Sequence, residues 1–338
     1  MTYRCNHRCL FCSCPWEAEN GLFKKEKELT QQAWKVCIRS LVEMGCSTFA
    51  FTGGEPLLNP DILEIIEFSA NLETEHIETQ EGKLRSWMAP PKLYLLTNGK
   101  LMDDDILGLC RKHDIHLSMS LPGLTTFQEH TRSEGPGHIL YWFSRAHEMG
   151  LKTTVNITVT RKNLPELFEN ISQALIAGAG SLLMNRFLPG GRGLSYADEL
   201  TLSKEQIVTA LDVAESVLRK ANRYGSMGTE LPKCVLDIGR YKHLQVGTRC
   251  SAALDFFVID PSGYIRVCNH SPVRLHHFSE IEKVKTHPYW TSFVKKDYLP
   301  VACLACPEIA DCDGGCREAA HIVGGRPDAM DPVMSGNP

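Results

Sequence analysis

From residue 30 to about residue 187 the chain switches repeatedly between two hydrophobic periods. Stretches 33–44, 61–72, 103–112, 139–149 and 164–177 read as helices, the first of them amphipathic. Between them, 47–52, 93–97, 116–121, 153–159 and 181–187 read as strands, and 153–159 is rich in β-branched residues. Strands alternating with helices of about ten or more residues form parallel βα units. Gly45, Gly150 and Gly180 fall at helix ends, where a left-handed cap favours glycine. The pattern predicts an α/β domain with five parallel strands.

Other stretches break this rhythm. Residues 73–92 are polar and contain Pro90-Pro91, which reads as a surface insertion between a helix and a strand. Residues 188–198, with Pro189-Gly190-Gly191-Arg192-Gly193, read as an irregular exit from the domain. Residues 203–224 predict a long helix capped by Ser203, with Glu205 nearby. Residues 256–267 read as a hairpin turning at Pro261-Ser262-Gly263. No internal repeat goes beyond the βα alternation.

Composition narrows the class. The 338 residues are 43% hydrophobic, enough for a substantial core, and carry a net charge of −4, which gives no nucleic-acid-binding surface. No run of about twenty apolar residues predicts a membrane span, and no signal peptide precedes the first cysteines. Fourteen cysteines is a high count. Clustered cysteines without an export signal point to metal in a reducing cytoplasm. Cys5, Cys9, Cys12 and Cys14 lie at one end, and Cys250, Cys268, Cys303, Cys306, Cys312 and Cys316 at the other. Cys37, Cys46 and Cys110 fall on or beside helices and read as core residues.

The first cluster, Cys5-x3-Cys9-x2-Cys12, can hold three irons of a [4Fe–4S] cluster and leave the fourth without a protein ligand. Such a triplet alone also serves zinc. Phe11 precedes its third cysteine, and Gly53-Gly54-Glu55-Pro56 follows about forty residues later. Together these resemble the radical S-adenosylmethionine (SAM) superfamily. The resemblance implies a partial (β/α)6 barrel with six strands, the first leading into the cysteine loop, although only four residues precede Cys5. It implies that the methionine moiety of SAM chelates the open iron, and that a reducing partner such as ferredoxin or flavodoxin supplies an electron. The products are methionine and a 5′-deoxyadenosyl radical that abstracts hydrogen from substrate. By resemblance Phe11, Gly53, Gly54, Glu55 and Pro56 line the SAM site, with Glu55 beside the amino group. Asn98 follows the next strand. Ser118 and Ser120 share one strand face and resemble residues that meet the ribose. Arg132, in His130-Thr131-Arg132, resembles a partner of the SAM carboxylate, and Asn156 and Arg186 are further candidates. Pro122 stands where many relatives have Asp. Cys14 reads as a bystander.

The second cluster is Cys250-x12-Gly263-x4-Cys268, then Cys303-x2-Cys306-x5-Cys312-x3-Cys316. Paired C-x2-C elements also bind zinc, but this spacing resembles the SPASM extension, a small α+β, twitch-like domain with one or two auxiliary iron–sulfur clusters. The resemblance gives Cys250, Cys268 and Cys316 to an inner cluster and Cys303, Cys306 and Cys312 to an outer one. Cys234 is a candidate upstream ligand. The downstream cysteine of full members has no counterpart after Cys316. The outer cluster would then use Asp311, Asp313 or His321, keep an open iron, or not assemble. The implied divisions are a radical SAM core over 1–190, a linker and helix over 191–235, and a SPASM-like domain over 236–338.

Relatives of this type mostly modify peptides or proteins, so the leading expectation is a maturase for a ribosomally made peptide. It would form a carbon–carbon or thioether crosslink or invert a stereocentre. Such maturases often carry an N-terminal leader-recognition domain; this chain starts at the cysteine loop. An anaerobic sulfatase maturase is a second reading; Asn269, where that relative has an Asp proposed as the base, argues against it. Cofactor biosynthesis of haem or quinone type is a third. A non-catalytic electron carrier would need neither the open-iron triplet nor the Gly-Gly-Glu segment.

Overall fold

The computed structural model of the chain describes residues 1–19, 23–80 and 82–334. Helix α1 (Gln31–Glu43) begins where Thr30 Oγ1 accepts the Ala33 N–H, and it buries Trp34, Cys37, Ile38 and Leu41. It stops before Gly45, whose φ of 91° is the left-handed cap anticipated there. Strand β1 (Thr48–Phe51) and helix α2 (Ile62–Ala70) follow. Residues 74–89, expected to be a loop, instead form an antiparallel hairpin of β2 (Thr74–Gln80) and β3 (Lys83–Ala89). Then come β4 (Lys92–Thr97), α3 (Asp104–Lys112, capped by Asp103), β5 (His116–Ser120), and the helices α4 (Phe127–Thr131) and α5 (Gly137–Glu148). The unit continues with β6 (Thr153–Val159), α6 (Leu167–Ile176) and β7 (Ser181–Arg186). The glycine cap after α6 is Gly178, with φ 108°, not Gly180.

The five anticipated strands are present and all parallel, but the sheet has seven, in the order β1-β4-β5-β6-β7-β8-β9. Past β7 lie α7 (Ala197–Leu200) and α8 (Lys204–Ala221). Ser203 caps α8 as expected, but Gln206, not Glu205, closes the capping box. Strands β8 (Gly225–Met227) and β9 (Leu244–Val246) then extend the sheet, so no sheet boundary falls at residue 235.

Burial alternates along the strands. On β6 Thr153, Val155, Ile157 and Val159 are buried, and Thr154, Asn156 and Thr158 are half-exposed. Val155, Ile157, Leu182 and Met184 share one core with Phe143, Ile171 and Leu211 from the flanking helices. The opposite face is polar. It carries His116, Ser118, Ser120, Thr154, Asn156 and Asn185, joined by His116–Thr154, Thr154–Ser181 and Asn156–Asn185 hydrogen bonds. A sheet with one oily face and one polar, half-open face offers the second face to a ligand.

The C-terminal part begins with the predicted hairpin, β10 (Val258–Ile259) against β11 (Ile265–Arg266), turning through Gly263 at φ 89°. Helices α9 (Pro288–Lys295) and α10 (Arg317–Gly324) complete it. Its core gathers Cys250, Ala252, Val267, Cys268, Phe293 and Tyr298. Tyr3 Oη lies 2.7 Å from Ser262 Oγ, and Arg274 joins Tyr3 and Asp260, so this hairpin packs on the N-terminal residues. No helix among the described residues is long and apolar enough to cross a membrane.

Candidate functional site

Residues 1–4 run alongside residues 52–55, just beyond β1. The Met1 nitrogen donates to Thr52 O, Gly54 N to Thr2 O and Glu55 N to Arg4 O, each at 2.8 Å. The anticipated lead-in strand is represented by this short run, without regular strand bonding. It also explains the glycine pair. A Cβ on Gly53 would stand 2.7 Å from Thr2 O, and one on Gly54 only 2.0 Å from Arg4 O. The pair lacks side chains because the chain's own first residues pass against it.

The cysteine loop that follows is held from two sides. Arg8 N donates to Thr131 O at 2.9 Å and Leu10 N to His130 O at 2.8 Å. The His130 ring meets Phe11 edge-on at 5.7 Å. From the other side the Pro-Gly-Gly-Arg-Gly segment wraps the loop. Gly193 N donates to Cys12 O at 2.9 Å, Arg192 Nη1 donates to Cys9 O at 3.2 Å, and Arg192 pairs with Glu17. Gly191, at φ 51°, would place a Cβ 2.4 Å from Cys14 O. Sequence reasoning treated this segment only as an exit, and its glycine density was the available signal. Cys14 itself donates to Gly53 O at 3.7 Å.

Glu55 departs from expectation. It is 1% exposed, and its carboxylate accepts from Thr97 Oγ1 at 2.7 Å, Asn98 N at 2.8 Å and Leu57 N at 3.2 Å. Burial raises its carboxyl above the usual range despite these donors. It ties the ends of β1 and β4 together, and little of its surface is left for a ligand. Asn98 reaches the cysteine loop, donating to Asn6 Oδ1 at 2.7 Å and lying 3.9 Å from Cys5 Sγ. Ser120 and Asn156 are register partners on β5 and β6. Ser118 Oγ is buried without a hydrogen-bond partner, as is Asn6 Nδ2 in the cysteine loop. Arg132 is exposed at the left-handed C-cap of α4, one residue past the segment bonded to the cysteine loop. Arg186 is not available. It is 4% exposed and forms a double ion pair with Asp331.

The donor set fits the implied group. Cys5, Cys9 and Cys12 are free thiols on one clamped loop beside the strand ends. The orphaned Ser118 hydroxyl and Asn6 amide face the cost of unpaired burial unless something fills the site. Among the described residues, no three Cys, His, Asp or Glu side chains crowd together as a single metal ion requires. A cubane, with one iron per thiolate, spreads its ligands more widely.

The second set of cysteines differs in burial. Cys250, Cys268 and Cys316 are buried. Burial pushes the Cys250 and Cys268 thiols far up and that of Cys316 to about 12, so without metal all three stay protonated. Charge from Glu230, which the sequence did not single out, also bears on Cys250 and Cys316. Asp313 accepts from Cys250 N at 2.8 Å, and Asp331 from Cys316 N at 2.7 Å. Cys303, Cys306 and Cys312 sit half-buried on an outer loop, and Cys234 is exposed. Cys37 and Cys110 are buried in the core and Cys46 packs at its edge, as expected.

The fold is similar to solved structures over nearly its whole length. Streptococcus suis SuiB bound to S-adenosylmethionine superposes with a TM-score of 0.71 at 16% identity, covering 98% of this chain and 75% of SuiB. Native anSMEcpe with bound AdoMet and Kp18Cys peptide gives 0.67 at 15% identity, covering 98% and 89%. Among curated proteins, the PqqA peptide cyclase of Gluconobacter oxydans is 24% identical, covering 100% of this chain and 89% of that protein. The PqqA peptide cyclase of Ruegeria pomeroyi is 26% identical, covering 100% and 86%. The model of the radical SAM superfamily matches residues 1–175, which hold the cysteine loop, the glycine pair and the β5 and β6 part of the polar sheet face. More than half of the sequence is thereby accounted for, and the chain belongs to the radical SAM superfamily.

Proposed function

We propose that this chain is a SPASM-type peptide maturase, and that it closes a crosslink within a ribosomally made peptide. The observation that carries the reading is the pairing of two thiol sets. One open-iron triplet is clamped beside a polar sheet face, and six further cysteines sit on a module packed against it through Tyr3 and Arg186. The curated relatives named peptide cyclases favour ring closure over thioether formation or epimerisation. When bound, the cluster and SAM supply a 5′-deoxyadenosyl radical that takes a hydrogen atom from a carbon no side-chain base could deprotonate.

The chain's own residues do the rest. Cys5, Cys9 and Cys12 hold the cluster, and Arg192 fixes the loop by gripping Cys9 O. Gly53, Gly54 and Pro56 shape the methionine end, while Glu55 sets their position and that of Asn98. Ser118, Ser120 and Asn156 face the ribose from the polar side of the sheet, with Phe11 and Arg132 at its rim. Cys250, Cys268 and Cys316 hold an inner auxiliary cluster. Cys303, Cys306 and Cys312 would hold an outer one, which would supply a one-electron acceptor near the substrate. A ferredoxin or flavodoxin supplies the initiating electron, and fourteen free thiols suit a reducing cytoplasm.

The test uses anaerobically reconstituted protein with SAM and any short peptide found encoded beside its gene. Replacing Cys5, Cys9 and Cys12 with Ala should remove about four irons and abolish 5′-deoxyadenosine formation. Cys268→Ala should still cleave SAM yet release no peptide lacking two hydrogens. Zinc as the main metal, or full product from a folded Cys268→Ala protein, would defeat this division of labour.

A further inference from the structure

Cys234 lies on a turn closed by Val235 N donating to Pro232 O at 2.9 Å. Its neighbour Lys233 donates to Glu308 at 2.7 Å and stands 3.8 Å from Asp311. Both acids fall between Cys306 and Cys312 in the sequence. One lysine thus sets the turn against the outer cysteine loop. Lys204 Nζ holds the turn from behind, donating to Cys234 O at 3.2 Å. Cys234 and Cys303 each lie within electrostatic reach of Cys306 and Cys312. The ion pairs of Lys233 therefore bring the Cys234 turn against the loop that carries Cys306 and Cys312, at the outer end of the module. The Cys234 thiol also donates to Met334 Sδ at 3.6 Å, a weak acceptor that does not compete with iron.

The other donors considered for this position are engaged. Asp311 pairs with Arg249 and Lys233. Asp313 is buried between Cys250 N and Lys296 Nζ. His321 is bonded to Tyr289 and Glu318, groups that face Cys268 rather than the outer loop.

We propose that Cys234 is the fourth thiolate of the outer auxiliary cluster, beside Cys303, Cys306 and Cys312, and not a ligand of the inner one. The proposal rests on the auxiliary-cluster reading given above. A set of four thiolates leaves no iron open, which suits this cluster to carrying electrons.

Thiol footprinting of the full chain tests it without reference to activity. Cys234 is exposed in the bare protein, so iodoacetamide should alkylate it readily, read by peptide mass spectrometry. Reconstitution with iron and sulfide should slow that labelling at least tenfold. The protection should vanish in Cys303→Ala/Cys306→Ala and persist in Cys250→Ala/Cys268→Ala. Cys234→Ala should alter the reduced-state electron paramagnetic resonance signal that Cys303→Ala also alters. Unslowed labelling of Cys234 while Cys303, Cys306 and Cys312 are protected would overturn the proposal alone. So would protection that follows Cys250 and Cys268, since Cys234 would then serve the inner cluster. If Cys303, Cys306 and Cys312 themselves label freely after reconstitution, the outer cluster does not exist and the parent reading fails with it.

Discussion

At the scale of single residues, Glu55 shows how far a motif can be read. Its place in Gly53-Gly54-Glu55-Pro56 identified the segment, but not that the carboxylate turns inward to join Thr97 and Asn98. Nothing local encodes that direction, since it depends on where β4 ends relative to β1. Glu55→Gln keeps the shape but turns an amide N–H₂ toward groups that are themselves donors. The expected cost is about 1–3 kcal/mol of stability, measured by urea unfolding, together with weaker SAM binding through the displaced Asn98 loop. The pH dependence has a definite sign. The folded carboxyl holds its proton above the ordinary value of 4.5, so the native state binds more protons than the unfolded one there. This group's contribution to stability therefore falls as pH rises from about 4.5, and Glu55→Gln should lack that slope. Unchanged stability with reduced SAM affinity would instead make Glu55 a direct ligand.

At the scale of elements, the main strands and helices were legible because most of them bury one face, as β4 and β6 do with alternate residues, which writes a clean period into the sequence. The β2–β3 hairpin was not. Its strands pair with each other and not with the main sheet, and most of their side chains are exposed, Ile77, Leu84 and Met88 among them. Without a buried face there is no alternation to read. Strands β8 and β9 were missed for another reason. Three residues each are too short for any pattern, and they form because the edge of β7 offers unpaired N–H and C=O groups. Replacing residues 77–86 with a short Gly-Ser turn should change stability by no more than about 1 kcal/mol, judged by thermal melting, and should leave 5′-deoxyadenosine formation intact. A collapse of SAM cleavage would give the hairpin a part in the site.

At the scale of the molecule, the decisive contact is between residues 145 positions apart. Arg186, at the end of β7, and Asp331, near the end of the described chain, form a buried double ion pair at 4% and 0% exposure. Asp331 also accepts from the N–H groups of Cys316 and Val333. One carboxylate thus fixes a sheet strand, a proposed cluster ligand and the chain's last described turn. Asp331→Ala strands a buried guanidinium, and about 3–5 kcal/mol of destabilisation is expected by chemical denaturation. Iron bound through Cys316 should be lost before iron bound through Cys5, Cys9 and Cys12. A stable variant with full iron content would show that the two parts are held by other contacts. Arg186 looked like a ligand candidate in the sequence because its partner lies so far along the chain. By itself the sequence showed the parallel βα core through its period, and the spacing of the N-terminal cysteines with the Gly-Gly-Glu segment carried the resemblance to the family, since these are local patterns. The tertiary structure decided that the glycine pair admits the chain's own first residues, that Arg192 clamps the cysteine loop, and that Lys233 ties the Cys234 turn to the outer loop. Each of these depends on segments brought together by burial and pairing across distances over which the one-dimensional pattern carries no information.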